Sequence, residues 1–136
     1  MSRFPTADHL ASWAGMCPGN HESAGKRKSG KTTQGSRWLK STLVQSAWAV
    51  SHTKDSYFRA YFRRLVGRRG KKRALVALGH SLLTTIYHVL KTGRPYADLG
   101  VDYLDKLDAK RITRSHVRRL ENLGYTVILT RPEEAA

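Results

Sequence analysis

The stretch ESAGKRKSGKTTQG at residues 22–35 sets a serine, Ser23, beside Lys26, Arg27, Lys28 and Lys31 in a run of small and glycine residues. Three chemistries are open to such a stretch. Residues 25–32, GKRKSGKT, match the spacing of a phosphate-cradling nucleotide loop, a glycine followed by four residues and then Gly-Lys-Thr. The same cations on a glycine-bearing loop can grip a nucleic-acid backbone, because small residues let the main chain approach phosphates and free amides add donors. The third possibility is a reactive hydroxyl. Ala24 and Gly25 leave Ser23 accessible, and neighbouring cations would stabilise charge developing on a phosphoryl group.

The nucleotide reading needs a buried strand feeding the loop and a helix whose first amides point at the phosphates. Upstream of Gly25 lies AGMCPGNHESA, which holds a proline and no apolar run, and no apolar strand ending in Asp follows to hold magnesium. That context is missing. The backbone-gripping reading draws on the whole chain: 136 residues carry 25 Lys plus Arg against 10 Asp plus Glu, a net charge of +15. Asp55 is the only acid between Ser23 and Ala97. Besides Lys26, Arg27, Lys28, Lys31, Arg37 and Lys40, a second basic group, Arg63, Arg64, Arg68, Arg69, Lys71, Lys72 and Arg73, straddles Gly70. Such an excess repels itself unless a polyanion screens it, so DNA or RNA is the expected partner. A lone serine in a polar loop is ordinarily just that, and the residues alone leave open whether Ser23 reacts. His21 and Glu22 sit beside it; His80 and His88, on an apolar helix, read as packing residues.

The elements that must position these groups are mainly α-helical. Thr6 caps a short helix with Asp8 in its first turn, ending near Gly15. Residues 15–35, punctuated by glycines, form a long basic loop. Ser36 then caps a helix to about residue 53 whose inner face is Leu39, Leu43, Ala47 and Val50. A helix over residues 57–68 turns Phe58, Tyr61, Phe62 and Leu65 inward, so these aromatics are core before they are stacking platforms. Gly70 interrupts, and a long helix over residues 71–91 follows, with Leu75, Leu78, Leu82, Ile86 and Val89 as its expected buried stripe and Gly93 and Pro95 as its stop. After Ala97 the charges balance, around Asp98, Asp102, Asp105 and Asp108. The Gly/Pro-rich residues 92–100 therefore mark a boundary between a basic domain, residues 1–95, and a tail, residues 96–136. The tail reads as a helix over residues 114–122 and one short C-terminal strand, YTVILT. A single cysteine, Cys17, excludes an internal disulfide and argues against a structural zinc site. No apolar stretch reaches membrane-spanning length, and a cytoplasmic protein without a membrane partner is expected.

The stretch FPTADHLASWAGMCPGNHESAGKRKSGKTTQGSRWLKSTLVQSAWA resembles the C-terminal domain of the DEDD-type insertion-sequence transposases. The likeness rests on Gly15 and Pro18 of a G-x-x-P element, on Ser23 and Gly25 of a serine-x-glycine element, and on the basic loop and helix that follow. It continues through YFRRLVGRRGKKRALVALGHSLLTTIYHVLKTG and DYLDKLDAKRITRSHVRRLENLGYTVILT, nearly the whole chain. The resemblance implies that Ser23 is the catalytic serine, attacking a DNA phosphodiester, and that Lys26, Arg27, Lys28, Lys31 and Arg37 position the backbone. It further implies a RuvC-like domain whose acids hold magnesium, a bridge RNA as guide, and an oligomeric enzyme. That domain and a helix-hairpin-helix-like segment would precede Met1, so the expectation is an N-terminally truncated transposase. Such a piece would bind nucleic acid and catalyse nothing alone, with no metal or cofactor of its own. A non-catalytic basic nucleic-acid-binding protein is the alternative.

Overall fold

The computed structural model describes residues 3–19 and 21–130. It is mainly helical and divides into two compact units, Met1–Val101 and Asp102–Ala136. The first holds α1 (Ala7–Trp13), a two-stranded antiparallel hairpin of β1 (His21–Ser23) and β2 (Lys26–Ser29), α2 (Arg37–Val50), α3 (Tyr57–Arg69) and α4 (Lys71–Thr92). The second holds α5 (Tyr103–Leu107) and α6 (Ala109–Glu121).

Local chemistry sets several helix ends. Thr6, Ser36 and Ser56 lie outside helical geometry, and their hydroxyls accept from the amides of His9, Leu39 and Arg59. Each such cap is worth about 1 kcal/mol. At the far end of α4, Gly93 takes a left-handed conformation at φ 69°, and its amide donates to the Val89 carbonyl. The start of α4 differs: Gly70 offers no side-chain cap, and the first turn carries Lys71, Lys72 and Arg73.

The longest helix, α4, is the spine of the first unit, packing against α1, α2 and α3. One cluster joins Leu10 and Ala11 of α1, Ala14 just after it, Met16, Leu43 of α2, and Leu83 and Tyr87 of α4. A second joins Ala47, Phe58 and Leu78, with Leu75, Tyr61, Phe62 and Leu82 half-buried around it. The fully buried line on α4 is therefore Ala74, Leu78, Gly79, Leu83 and Tyr87. This corrects the expected stripe: Leu82 is only half-buried, and Ile86 is exposed. The cause is a close approach at small residues. A Cβ on Gly79 would stand 2.8 Å from Met16 Cε and 3.4 Å from the Leu43 carbonyl oxygen. The contact line of α4 thus runs through the small residues Ala74 and Gly79 as well as Leu78, Leu83 and Tyr87.

Two further ties close the unit. The Tyr87 hydroxyl lies 2.9 and 2.8 Å from the carbonyl oxygens of Phe4 and Pro5, and Lys91 Nζ donates to the same hydroxyl and to the Pro5 carbonyl. Asp98 accepts from the Tyr57 amide at 3.0 Å, the Gly100 amide at 2.7 Å and the Tyr96 hydroxyl at 3.0 Å, while Tyr96 stacks on Phe58. The segment after α4 is thereby pinned to the start of α3. Burial works to raise the Asp98 carboxyl, but the bonds from Tyr57, Gly100 and Tyr96 prevail and hold it below its usual range. For Tyr96, burial first and then the bond to Asp98 push the phenol up to about 12.

In the second unit α6 is longer than expected and starts at Ala109, with Arg111 paired to Asp108 at 2.8 Å. Residues 125–130 join no ladder among the described residues; the paired strands lie inside the basic loop instead.

Leu83→Ala should lower the unfolding free energy by about 2–5 kcal/mol, through lost burial and a cavity. Leu82→Ala should cost clearly less, and chemical denaturation of the two variants checks the order. In an alkaline ultraviolet titration Tyr96 should ionise late, near pH 12. Because its folded pKa is raised, the associated stability is complete below about pH 10 and is lost as pH rises through about 12. Asp98→Asn should bring that late step back toward the ordinary range.

Candidate nucleic-acid interface

The basic loop is a hairpin on a rigid root. At its tip Ser23 and Lys26 pair across a two-residue turn of Ala24 and Gly25, whose φ angles are 50° and 71°. Positive φ at both central residues is the pattern of the type I′ turn, whose twist matches that of the flanking strands. Gly25 adopts it freely, whereas Ala24 carries some strain. Farther down, Glu22 pairs with Arg27 and His21 with Ser29, with a bulge between that leaves Lys28 without a partner in the register.

Ser23 is exposed, and among the described residues its side chain makes no hydrogen bond. It shares a face of the strand pair with Lys26, while Glu22 is pleated to the other face. Ser29, the other serine of the hairpin, is half-buried, and its hydroxyl accepts from the Lys31 amide at 3.2 Å. Lys26, Lys28, Lys31 and Arg37 are all exposed, Arg37 in the first turn of α2. Arg27 belongs to β2, and its side chain lies outside the described set.

The root is made by backbone contact. Pro18 bridges to Thr32, the Gly19 amide donates to the Lys31 carbonyl at 2.7 Å, and the Thr33 amide to the Cys17 carbonyl at 3.2 Å. Gly15, at φ 69°, and Gly35 press main chain on main chain. A Cβ on Gly35 would sit 2.5 Å from the Ala14 carbonyl carbon and 2.7 Å from Gly15 Cα. Next in line, Met16 is buried against Gly79, and Lys40 of α2 donates to the Thr32 hydroxyl. Cys17 is half-buried, its thiol raised by burial and by the Asp8 charge.

Gly25–Thr32 therefore does not form the strand–loop–helix of a nucleotide cradle. Lys26–Ser29 is an antiparallel strand, and α2 begins only at Arg37. The second basic group gathers at the α3–α4 corner, where Arg68, Arg69, Lys71, Lys72 and Arg73 are exposed and Arg64 is half-buried. His80 is half-buried, and His88 is exposed, with its ring 5.4 Å from that of Tyr87. Among the described residues no three of His, Cys, Asp and Glu come together to hold a metal ion. No helix among the described residues is long and apolar enough to cross a membrane.

Sequence reasoning missed three features: the root glycines, the anchoring role of Met16, and Trp38, next to Arg37 and almost wholly exposed. Only Trp38 had a readable signal, a bulky aromatic between two cations, Arg37 and Lys40.

Residues 1–63, which contain the hairpin and its root, match the model of the Transposase IS116/IS110/IS902 family. The chain is also 33% identical over 98 residues to the pilin gene-inverting protein of Moraxella lacunata and to that of Moraxella bovis. The aligned stretch covers 70% of this chain and 30% of each relative, so the chain spans under a third of the length of the curated relatives it matches. No solved structure matches.

Gly35→Ala should force main-chain movement at the root, cost about 1–3 kcal/mol, and speed tryptic cleavage within the hairpin. Gly30→Ala, where an added Cβ meets nothing within 4 Å, should leave melting and cleavage unchanged.

Proposed function

We propose that this chain is the DNA-binding, serine-bearing part of an insertion-sequence transposase or recombinase, with Ser23 as the nucleophile and the hairpin cations as its backbone clamp. One observation carries the reading. Within the family-matched residues, an exposed serine whose hydroxyl bonds to none of the described residues stands at the tip of a basic hairpin that is rooted in the core.

In the proposed step Ser23 Oγ bonds to the phosphorus of a DNA phosphodiester as the bond from phosphorus to the departing nucleotide oxygen breaks. The hydroxyl proton is passed on, and the departing oxygen ends protonated. Lys26, directly opposite Ser23, lies where it can offset charge on the phosphoryl oxygens, and Lys28, Lys31, Arg27 and Arg37 hold the flanking backbone. The name of the Moraxella relatives, gene-inverting proteins, fits a reaction that cuts and rejoins DNA. The guide RNA, the acidic magnesium-binding domain and the oligomeric assembly implied by the resemblance belong to the same proposal.

Two measurements test it. Affinity for duplex DNA should fall with salt at a log–log slope of about −5 if about six phosphates are engaged, and Lys28→Ala should reduce that slope by about one. A flat response would defeat the clamp. With the acidic domain, a guide RNA and magnesium supplied, a DNA substrate should become covalently attached to the protein. Ser23→Ala should abolish the adduct and leave binding nearly unchanged, whereas Ser29→Ala should retain it. An undiminished adduct with alanine at position 23 would leave a basic binding module without this nucleophile.

A further inference from the structure

The three tryptophans of the chain are not placed alike. Trp13 is 57% exposed, with its ring 5.5 Å from that of Phe4, and Trp48 is 50% exposed against the His52 ring at 4.5 Å. Trp38 is 88% exposed, and among the described residues no ring packs on it. Its neighbours along the same face of α2, by helical spacing, are Thr42, Gln45 and Ala49, all exposed, and Thr42 donates to the Trp38 carbonyl at 3.0 Å. Trp38 is thus no part of an apolar patch of the kind that anchors protein interfaces. The charged residues next to it in the sequence are of one sign. Arg37 precedes it, and Lys40 in the same turn ties α2 to Thr32, which places the indole on one rigid piece with the exit of the basic hairpin.

An isolated indole face beside cations suits one class of ligand, a planar base whose own phosphates need neutralising. A paired base hides its faces in the duplex stack, so only an unpaired base can use the platform. We propose that Trp38 is a stacking platform for an unpaired nucleobase of a DNA or RNA strand whose phosphates are held by Arg37 and the hairpin lysines. The inference rests on the nucleic-acid reading above and adds to it a preference for single-stranded over paired segments at this site.

The test compares the full chain with Trp38→Ala and Trp38→Phe, using fluorescence anisotropy on labelled oligothymidine, oligouridine and duplex DNA at one salt concentration. Trp38→Ala should weaken binding to one or both single strands about five- to one-hundred-and-fifty-fold, the range for loss of one stacked base, with duplex affinity nearly unchanged. Trp38→Phe should recover most of the loss. The strand that responds identifies the source of the base. Equal losses on single strand and duplex, no loss on either single strand, or a Phe variant as weak as the Ala variant would each overturn the platform. Because so little of Trp38 is buried, circular dichroism and melting should match the parent chain. Failure of the parent chain to bind any of the three probes would defeat the nucleic-acid reading instead.

Discussion

Everything at the candidate site depends on a contact that has almost no side chain in it. Where Gly15 and Gly35 touch, two segments of main chain meet with no room for a Cβ, and one residue on, Met16 fills the space left by Gly79 between α2 and α4. The consequence is mechanical. A hairpin whose strands are only three and four residues long could not hold a fixed position by its own ladder. Joined to the spine helix through Met16 and to α2 through Lys40 and Thr32, it becomes an extension of the helical core. A polar tip can then be exact in position while remaining open to solvent.

How much of this could be read from residues alone follows from how local each determinant is. The caps at Thr6 and Ser36 and the glycine stop at Gly93 were legible because capping is settled within one turn. The basic identity of the loop was legible from composition. Its strands were not, since HES and KRKS show no alternation of apolar and polar residues; turn geometry and root contacts make them pair. The α4 stripe was misplaced by one residue at Leu82 because a pattern search weights bulk, while at Gly79, where bulk is absent, the backbone of α4 comes close to Leu43 of α2 and to Met16. Met16 sat in a segment that looked like loop, and only the crossing of α2 and α4 shows what it fills.

The tip divides labour between its two serines. Ser29 spends its hydroxyl on the Lys31 amide and helps shape the strand exit, whereas Ser23 is left accessible by the small turn residues that follow it. The same backbone turn that strains Ala24 brings Lys26 opposite Ser23. The accessibility of Ser23 is thus a property of a turn type as much as of a residue, and the proposals for Ser23 and Trp38 rely on the same rooted hairpin and helix start.

At the uncapped start of α4, Lys71, Lys72 and Arg73 follow Arg68 and Arg69, so cations are stacked on the end of a helix whose dipole is already positive. Folding brings these charges together without an acid in the first turn, and mobile anions that gather there lower the cost. Salt therefore acts on this chain with two opposite signs: it relieves self-repulsion in the free fold while it competes with any polyanion for the same cations. Low ionic strength, the condition in which the chain would hold a nucleic acid most tightly, is also the one in which the unliganded fold is under greatest electrostatic stress, and a bound phosphate backbone would relieve that stress and leave the complex more stable than either effect considered alone would suggest.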